Sequence, residues 1–348
     1  MSINSKCLRY HQKKGLILEN KNFDDIKNNQ ILIKVKACGI CGSDIKIIKH
    51  GNNRLKPGII MGHEISGEVV TVGDEIKKFV VGDKVSIGAD IPCNKCKQCI
   101  SGLAKCESDL AYGHEIDGGF SEYLLIDLEH IENGPVQKFY DINFDLAALA
   151  EPLACCINGY EKVNFKNYNS VLVLGGGVIG MMLSYLGVIY NIPNIYIADI
   201  SNERIQNFKK FRHLTDFFDV TSNRINDFII DNGGFDLIFT SNNSPESQKQ
   251  AIELIGNSGV VNFFGGLAKH QSHVEINTNK IHYKELIVTG SHGSSPNQHK
   301  KALEIIEKNT SFFEKLISKK VSISDYKYAF EEATNPNNYK VIIEPNKF

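Results

Sequence analysis

Two patterns of apolar and polar positions divide the chain near residue 150. Before it, apolar runs are short and closely punctuated. Ile31-Leu32-Ile33-Lys34-Val35-Lys36 reads as a strand with partial alternation, and Ile65 to Val72 as another, closed by Gly73-Asp74. Val80-Val81-Gly82-Asp83-Lys84-Val85 reads as a strand, a turn and a strand start. Glycine at such short intervals predicts a small barrel rather than a parallel sheet. After the loop Asp141-Ile142-Asn143-Phe144-Asp145, five apolar runs are separated by longer mixed stretches: Ser170 to Leu174, Asn194 to Ala198, Phe235 to Phe239, Gly259 to Phe264 and Glu285 to Thr289. That alternation predicts βαβ units around a parallel sheet, an α/β fold. The tail carries an amphipathic helix, Lys300 to Lys308, and a last strand over Lys340 to Ile343. There is no internal repeat and no low-complexity segment.

The chain has 348 residues, and 348/150 is about 2.3, which predicts two domains. A hydrophobic fraction of 42% and a charged fraction of 23% exclude a disordered chain. Lys+Arg is 39 against Asp+Glu 40, so the basic excess of a dedicated nucleic-acid binder is missing. No apolar run approaches the roughly 18 residues of a membrane span. The first residues, MSINSKCLRYHQKKGLILEN, lack an apolar leader core, so a cytoplasmic location is expected.

Val171-Leu172-Val173-Leu174 runs into Gly175-Gly176-Gly177-Val178-Ile179-Gly180, which fits G-x-G-x-x-G with Gly175, Gly177 and Gly180 at its three positions. The first glycine allows the tight turn, the second lets backbone approach a pyrophosphate, and the third lets the next helix pack on the strand. The free N–H groups of that helix face the phosphates. A second strand ends in Asp199, 19 residues past Gly180. A carboxylate there accepts from both ribose hydroxyls and repels a 2′-phosphate, which favours NAD over NADP. The competing reading is a structural glycine turn with an incidental surface Asp.

Nine cysteines exceed what packing needs, and four of them, Cys93, Cys96, Cys99 and Cys106, fall within 14 residues. In a reducing compartment such a cluster reads as metal ligation before disulfides. Four thiolates fill a tetrahedral zinc shell, so this site is structural and ties down a loop with little core of its own. The rival, a nucleic-acid-binding zinc module, finds too few flanking cations in Lys95, Lys97 and Lys105. Cys7, Cys38, Cys155 and Cys156 read as packed core. Cys38 and Cys41 form a C-x-x-C pair without the thioredoxin-like context that a redox role requires.

A second set lies outside that lobe: Gly39-Ile40-Cys41-Gly42-Ser43-Asp44, then Gly62-His63-Glu64, then Glu151-Pro152. Each is bland alone. Together they offer thiolate, imidazole and carboxylate, the donors of a catalytic zinc that keeps one position open. With these motifs in this order, the four-cysteine lobe and the glycine loop, the sequence resembles the zinc-dependent medium-chain alcohol dehydrogenase superfamily over nearly its whole length.

The resemblance implies a GroES-like β-barrel catalytic domain over 1–154 and 291–348, with the structural zinc lobe at 93–106, and a doubly wound Rossmann NAD-binding domain over 155–290. It implies two zinc ions per chain. Cys41 and His63 are then zinc ligands, Glu64 a ligand or an exchangeable one, and Glu151 a ligand directly or through water. Simple alcohol dehydrogenases often carry cysteine at the Glu151 position, so glutamate there looks like the polyol, sorbitol-type branch. The segment Asn262-Phe263-Phe264-Gly265-Gly266-Leu267 leans the same way. Asp44 fixes the His63 ring. Arg204 joins Gly175, Gly177, Val178, Ile179, Gly180 and Asp199 as cofactor-binding.

The activity implied is oxidation of a secondary alcohol of a polyol or polyol phosphate, with hydride passed to NAD in a cleft between the domains. Ser43 begins the proton relay, against the plainer reading of a turn hydroxyl. Many members carry histidine three residues after this serine; here the position is Lys46, which leaves the exit route open, with water near Glu64 as a substitute. The alternatives are a threonine or simple alcohol dehydrogenase of the same superfamily and a non-enzymatic zinc and nucleotide-binding protein. Arg54, Lys46 and Lys56 are candidate phosphate anchors. His282, Tyr283, His292 and Ser294 suit either the site or a subunit interface. The family's assemblies imply a homodimer or homotetramer, with no nucleic-acid or membrane partner.

Overall fold

The computed structural model describes residues 3–51, 55–101, 106–108, 110–163, 168–211, 216–219 and 223–346. Arg54 and Lys105 lie outside the described residues. The chain divides into two compact units, Met1–Ala154 with Gly293–Phe348, and Cys155–His292.

The first unit is built on a seven-stranded sheet. Its order is Val136–Lys138, Lys84–Ile87, Glu64–Val72, Gln30–Gly39, Lys340–Glu344, Ile317–Ser322, with Tyr123–Asp127 also paired to Gln30–Gly39. Ile317–Ser322 runs parallel to Lys340–Glu344, and every other pair is antiparallel. Gln30–Gly39 is the hub. Ile31, Ile33 and Val35 have no exposed surface and pack with Ile65, Val69, Val85, Ile87 and Leu124. Each such side chain contributes about 1.5–3 kcal/mol by leaving water.

A separate hairpin, Ile3–His11 with Gly15–Phe23, is extended by Ile59–Ile60. Here Lys6, Arg9 and His11 interleave with the apolar positions, so the hairpin has little apolar signature in the sequence. One expected strand is corrected. Residues 80–83 form a turn in which the Asp83 carboxylate accepts the Val80 N–H at 2.8 Å. Val80 and Val81 are therefore exposed, and pairing begins at Lys84.

One histidine is sealed in this unit. His299, on the helix Pro296–Lys308, has no exposed surface. Its Nε2 lies 3.0 Å from Ser86 Oγ, whose own hydrogen goes to Ala147 O at 2.8 Å, so the imidazole is the donor. Burial pushes its pKa down to about 4. The unfolded chain takes up this proton near pH 6.5, whereas the fold refuses it until about 4. Stability from this group is therefore complete above about pH 6.5 and falls as the pH drops toward 4, by about 3 kcal/mol in all. Urea midpoints measured across that window should fall less steeply for His299→Gln than for the native chain; equal slopes would remove the assignment.

The second unit is a six-stranded, all-parallel sheet in the order Asp216–Asp219, Asn194–Asp199, Ser170–Leu174, Phe235–Thr240, Ile255–Phe263, Ile287–Gly290. This is the doubly wound Rossmann order 3-2-1-4-5-6. Five strands occupy the five apolar runs; Asp216–Asp219 is the additional one. The order reverses between Ser170–Leu174 and Phe235–Thr240, and crevices at such reversals receive nucleotides. At the far edge Ile287 and Val288 are exposed, as is Tyr283 just before them. No helix among the described residues is long and apolar enough to cross a membrane.

Candidate metal centres and dinucleotide loop

Donor atoms of Cys41, His63 and Glu64 all lie within 4.8 Å of one another in the first unit. The local sequence explains the placement. Cys41 precedes the helix Gly42–His50, and Asp44, three residues on, accepts the Cys41 N–H at 2.9 Å. The other Asp44 oxygen, Oδ1, faces His63 Nδ1 at 3.6 Å. One fully buried carboxylate thus holds the Cys41 backbone and sets its charge beside the ring. Nδ1 is turned to Asp44, and Nε2 lies on the Ser43 side, 3.4 Å from its hydroxyl. Burial opposes a charged ring, yet the negative charge of Asp44 with the Cys41 contact raises the His63 pKa well above its ordinary value. A thiol, an imidazole and a carboxylate gathered this closely form a donor set chemically suited to zinc.

Glu64 opens the strand Glu64–Val72 and is fully buried. Lys340, from the C-terminal strand, donates to both of its oxygens at 2.6 Å and to Ile40 O at 3.1 Å. Burial alone would lower the Lys340 pKa, but the Glu64 charge raises it. A Cβ on Gly39 would overlap the Glu64 carboxylate, so glycine is required beside it. Glu151, at the start of the helix Ala150–Glu161, is buried near enough for its charge to act on His63 and Lys340, but outside the 4.8 Å cluster. Lys46 and Lys56 are exposed.

The second cluster comprises Cys93, Cys96, Cys99 and Cys106, all four sulfurs within 4.8 Å of one another. Backbone N–H groups converge on them: Cys93 N–H on Cys106 Sγ at 3.2 Å, Cys96 N–H on Cys93 Sγ at 3.4 Å, and Cys99 N–H on Cys96 Sγ at 3.5 Å. For Cys106, burial raises the pKa, but the Ser108 hydroxyl at 2.9 Å and the Cys93 N–H outweigh it and bring the thiol down to about 6. Donors aimed at sulfur stabilise a thiolate at Cys106, the form a metal binds, whereas desolvation and the neighbouring Cys96 sulfur push Cys99 up to about 12. Cys7, Cys38 and Cys156 are buried and Cys155 half-buried, as packing residues are.

In the second unit the loop after Ser170–Leu174 turns at Gly175, whose φ of +112° favours glycine. A Cβ on Gly180 would overlap the Gly175 carbonyl, whereas the space around Gly177 is open. Gly177 N-caps the helix Val178–Ile189 with no side-chain cap, and Val178 and Ile179 are half-buried in its first turn. The helix N-terminus therefore keeps its N–H groups for an anion. Asp199 accepts from Gly176 N–H at 2.7 Å and Ser201 N–H at 2.9 Å. Arg204 Nη1 reaches Gly176 O at 3.5 Å.

Two residues absent from the sequence-derived set stand at the first centre. Lys340 carried only a strand signal. His114, whose ring centroid is 5.1 Å from that of His63, sits in a loop with no recognised motif.

Residues 27–135 match the alcohol dehydrogenase GroES-like domain and residues 178–308 the zinc-binding dehydrogenase domain. The chain is similar to sorbitol dehydrogenase of Halalkalibacterium halodurans, 28% identical, covering 91% of this chain and 92% of that protein. It is 27% identical to D-altritol 5-dehydrogenase of Agrobacterium fabrum (96% and 98% covered) and 24% identical to L-threonine 3-dehydrogenase of Idiomarina loihiensis (96% and 98%). A zinc-binding dehydrogenase from Sinorhizobium meliloti 1021, described as bound to NADP, superposes with a TM-score of 0.87 at 25% identity, covering 99% of this chain and 100% of that one. With both domain families matched in order and relatives aligned nearly end to end, the chain belongs to the zinc-dependent medium-chain alcohol dehydrogenase superfamily and is an oxidoreductase acting on CH–OH groups.

Proposed function

We propose that the protein oxidises a secondary alcohol of a polyol or polyol phosphate to the ketone with NAD. The gathering of Cys41, His63 and Glu64 within 4.8 Å, with buried Glu151 close by, carries this reading. The names of the sorbitol and altritol dehydrogenase relatives support a polyol, and Asp199 at its strand end supports NAD over NADP. Cys41 and His63 would hold one zinc with Glu151 directly or through water, and the four-cysteine lobe a second, structural zinc. When bound, the catalytic zinc lowers the pKa of an alcohol it polarises, and the nicotinamide accepts the hydride.

The chain's own residues do the positioning. Asp44 orients His63, Lys340 occupies the Glu64 carboxylate, and the Ser43 hydroxyl, 3.4 Å from His63 Nε2, is the first stop for the alcohol proton. The glycine loop and helix N-terminus receive the pyrophosphate. Arg204, beside the Gly176 carbonyl, flanks that loop.

The test is NADH formation by the zinc-replete protein on polyols, polyol phosphates, L-threonine and simple alcohols, with NADP in parallel. Turnover of a polyol with NAD is the expected result. Turnover confined to L-threonine or simple alcohols, or to NADP, would overturn the substrate or cofactor assignment.

The exposed Ile287–Gly290 edge, with Ile287 and Val288 turned to water, supports pairing with a second copy of the chain. Sedimentation of Val288→Lys should then show a smaller species than the native protein, and an unchanged species would exclude this edge.

A further inference from the structure

Three consecutive glycines, Gly175-Gly176-Gly177, give the dinucleotide loop a large backbone freedom to lose when it orders around a ligand. The peptide between Gly175 and Gly176 is nonetheless held at both ends. Its N–H donates to Asp199 Oδ2 at 2.7 Å, and its carbonyl, Gly175 O, lies 2.7 Å from Ser241 Oγ. A trans peptide is planar, so these two groups point in opposite directions. Asp199 ends the strand Asn194–Asp199, and Ser241 follows the end of Phe235–Thr240. Strand ends on either side of Ser170–Leu174 thus grip one rigid unit between them.

The Ser241 hydroxyl has one hydrogen and two carbonyls in reach. Leu174 O, 3.2 Å away, already accepts from Ser241 N–H at 2.9 Å and from Asn242 Nδ2 at 3.0 Å, which fills its two lone pairs. Gly175 O, at the shorter distance, therefore takes the hydrogen. The half-buried Ser241 is itself held firmly. Asn242 Nδ2 also reaches Ser247 Oγ at 2.8 Å, Asn242 Oδ1 accepts Ser244 N–H at 3.0 Å, and Thr240 O accepts Gly265 N–H at 2.7 Å. A Cβ on Gly265 would overlap the Asn242 backbone, and one on Gly175 would press on Ser241 Oγ. The glycine loop is laid against a packed block with little room to shift.

We propose that Ser241 is a positioning residue for the nicotinamide cofactor: its hydroxyl holds the Gly175–Gly176 peptide so that the loop already has the shape that receives the pyrophosphate. The proposal rests on the dinucleotide reading of the glycine loop, and not on which alcohol is oxidised or on the choice between NAD and NADP. Without the hydroxyl the peptide is held at its N–H alone, and binding has to order the three glycines. That cost falls on ligands that carry a pyrophosphate. Asp199 keeps its place through Ser201 N–H at 2.9 Å, so contacts to the adenosine ribose are spared.

The test titrates the zinc-replete native protein and Ser241→Ala with NADH and NADPH by fluorescence, with ADP-ribose and adenosine as competitors, and records urea midpoints on the same samples. Ser241→Ala should raise the Kd of the bound dinucleotide and of ADP-ribose about three- to tenfold, the worth of one hydrogen bond, and leave that of adenosine within about twofold. The adenosine arm separates positioning from general damage, because adenosine keeps the base and ribose and lacks the pyrophosphate. A variant that loses urea resistance but binds the dinucleotide as the native protein does makes the hydroxyl merely structural and overturns the proposal, leaving the dinucleotide reading intact. An equal loss on adenosine and ADP-ribose overturns it as well. A native protein that binds neither NADH nor NADPH overturns the dinucleotide reading, and this proposal with it.

Discussion

Replacing Lys340 by methionine should destabilise the protein by about 3–5 kcal/mol, the cost of leaving a buried charge without its partner. Both members of the Lys340–Glu64 pair are buried, at 2% and 0% side-chain exposure. Desolvation of two ions offsets much of their attraction, so the pair as a whole contributes far less than its disruption costs. A double-mutant cycle exposes the difference. Lys340→Met combined with Glu64→Gln should recover much of the loss in urea midpoint, because the orphaned carboxylate is gone. Additive losses would mean that the two residues act separately. The cycle also bears on the metal, since a carboxylate freed from the lysine has the donor atoms of Cys41 and His63 within 4.8 Å. Zinc should therefore be held more tightly by Lys340→Met than by the double variant, as read by competition with a chelator.

The second large effect separates the two proposed zinc sites. Cys41→Ser or His63→Ala should lower the zinc content from two equivalents to one and kcat/KM by about a thousandfold or more. That is the scale of the several kcal/mol a Lewis acid supplies at the reacting oxygen. Their urea midpoints should change little beside those of Cys96→Ser or Cys106→Ser, which remove the other equivalent and the lobe's main tie. Metal analysis by mass spectrometry with steady-state rates on the same samples checks both. A Cys41 variant that keeps two zinc ions and full activity would dissolve the assignment of the first centre. A Cys96 variant that loses turnover in a fully folded sample would merge the roles.

Local signals were legible in the sequence, and distant ones were not. The four cysteines lie within 14 residues and the glycine loop within six, so spacing alone points to them, whereas Asp44 enters only through the family resemblance. The parallel strands were legible for the same reason: strands buried on both faces read as continuous apolar runs. Lys340 and Glu64 are separated by 276 positions and meet only because Lys340–Glu344 and Glu64–Val72 flank the same central strand. His114 reaches His63 through the packing of Gly113 and Gly118 on the Gly62 peptide, for which a single sequence offers three ordinary glycines and no spacing rule. A strand is expected at Val80-Val81 because two adjacent valines imitate a buried run; it is absent, while the turn and the strand start that follow it are where the sequence places them.

Gly39 and Glu64 are written 25 residues apart, yet they behave as one character. They face each other across the pairing of Gln30–Gly39 with Glu64–Val72, and the carboxylate occupies the space where a side chain on residue 39 would begin. A descendant of this chain could enlarge position 39 only after shortening position 64, and shortening position 64 would strand Lys340. Three residues from three separate segments are thereby locked into a single inherited unit. Drift at any one of them has to pass through a less stable intermediate, whichever alcohol the enzyme comes to prefer.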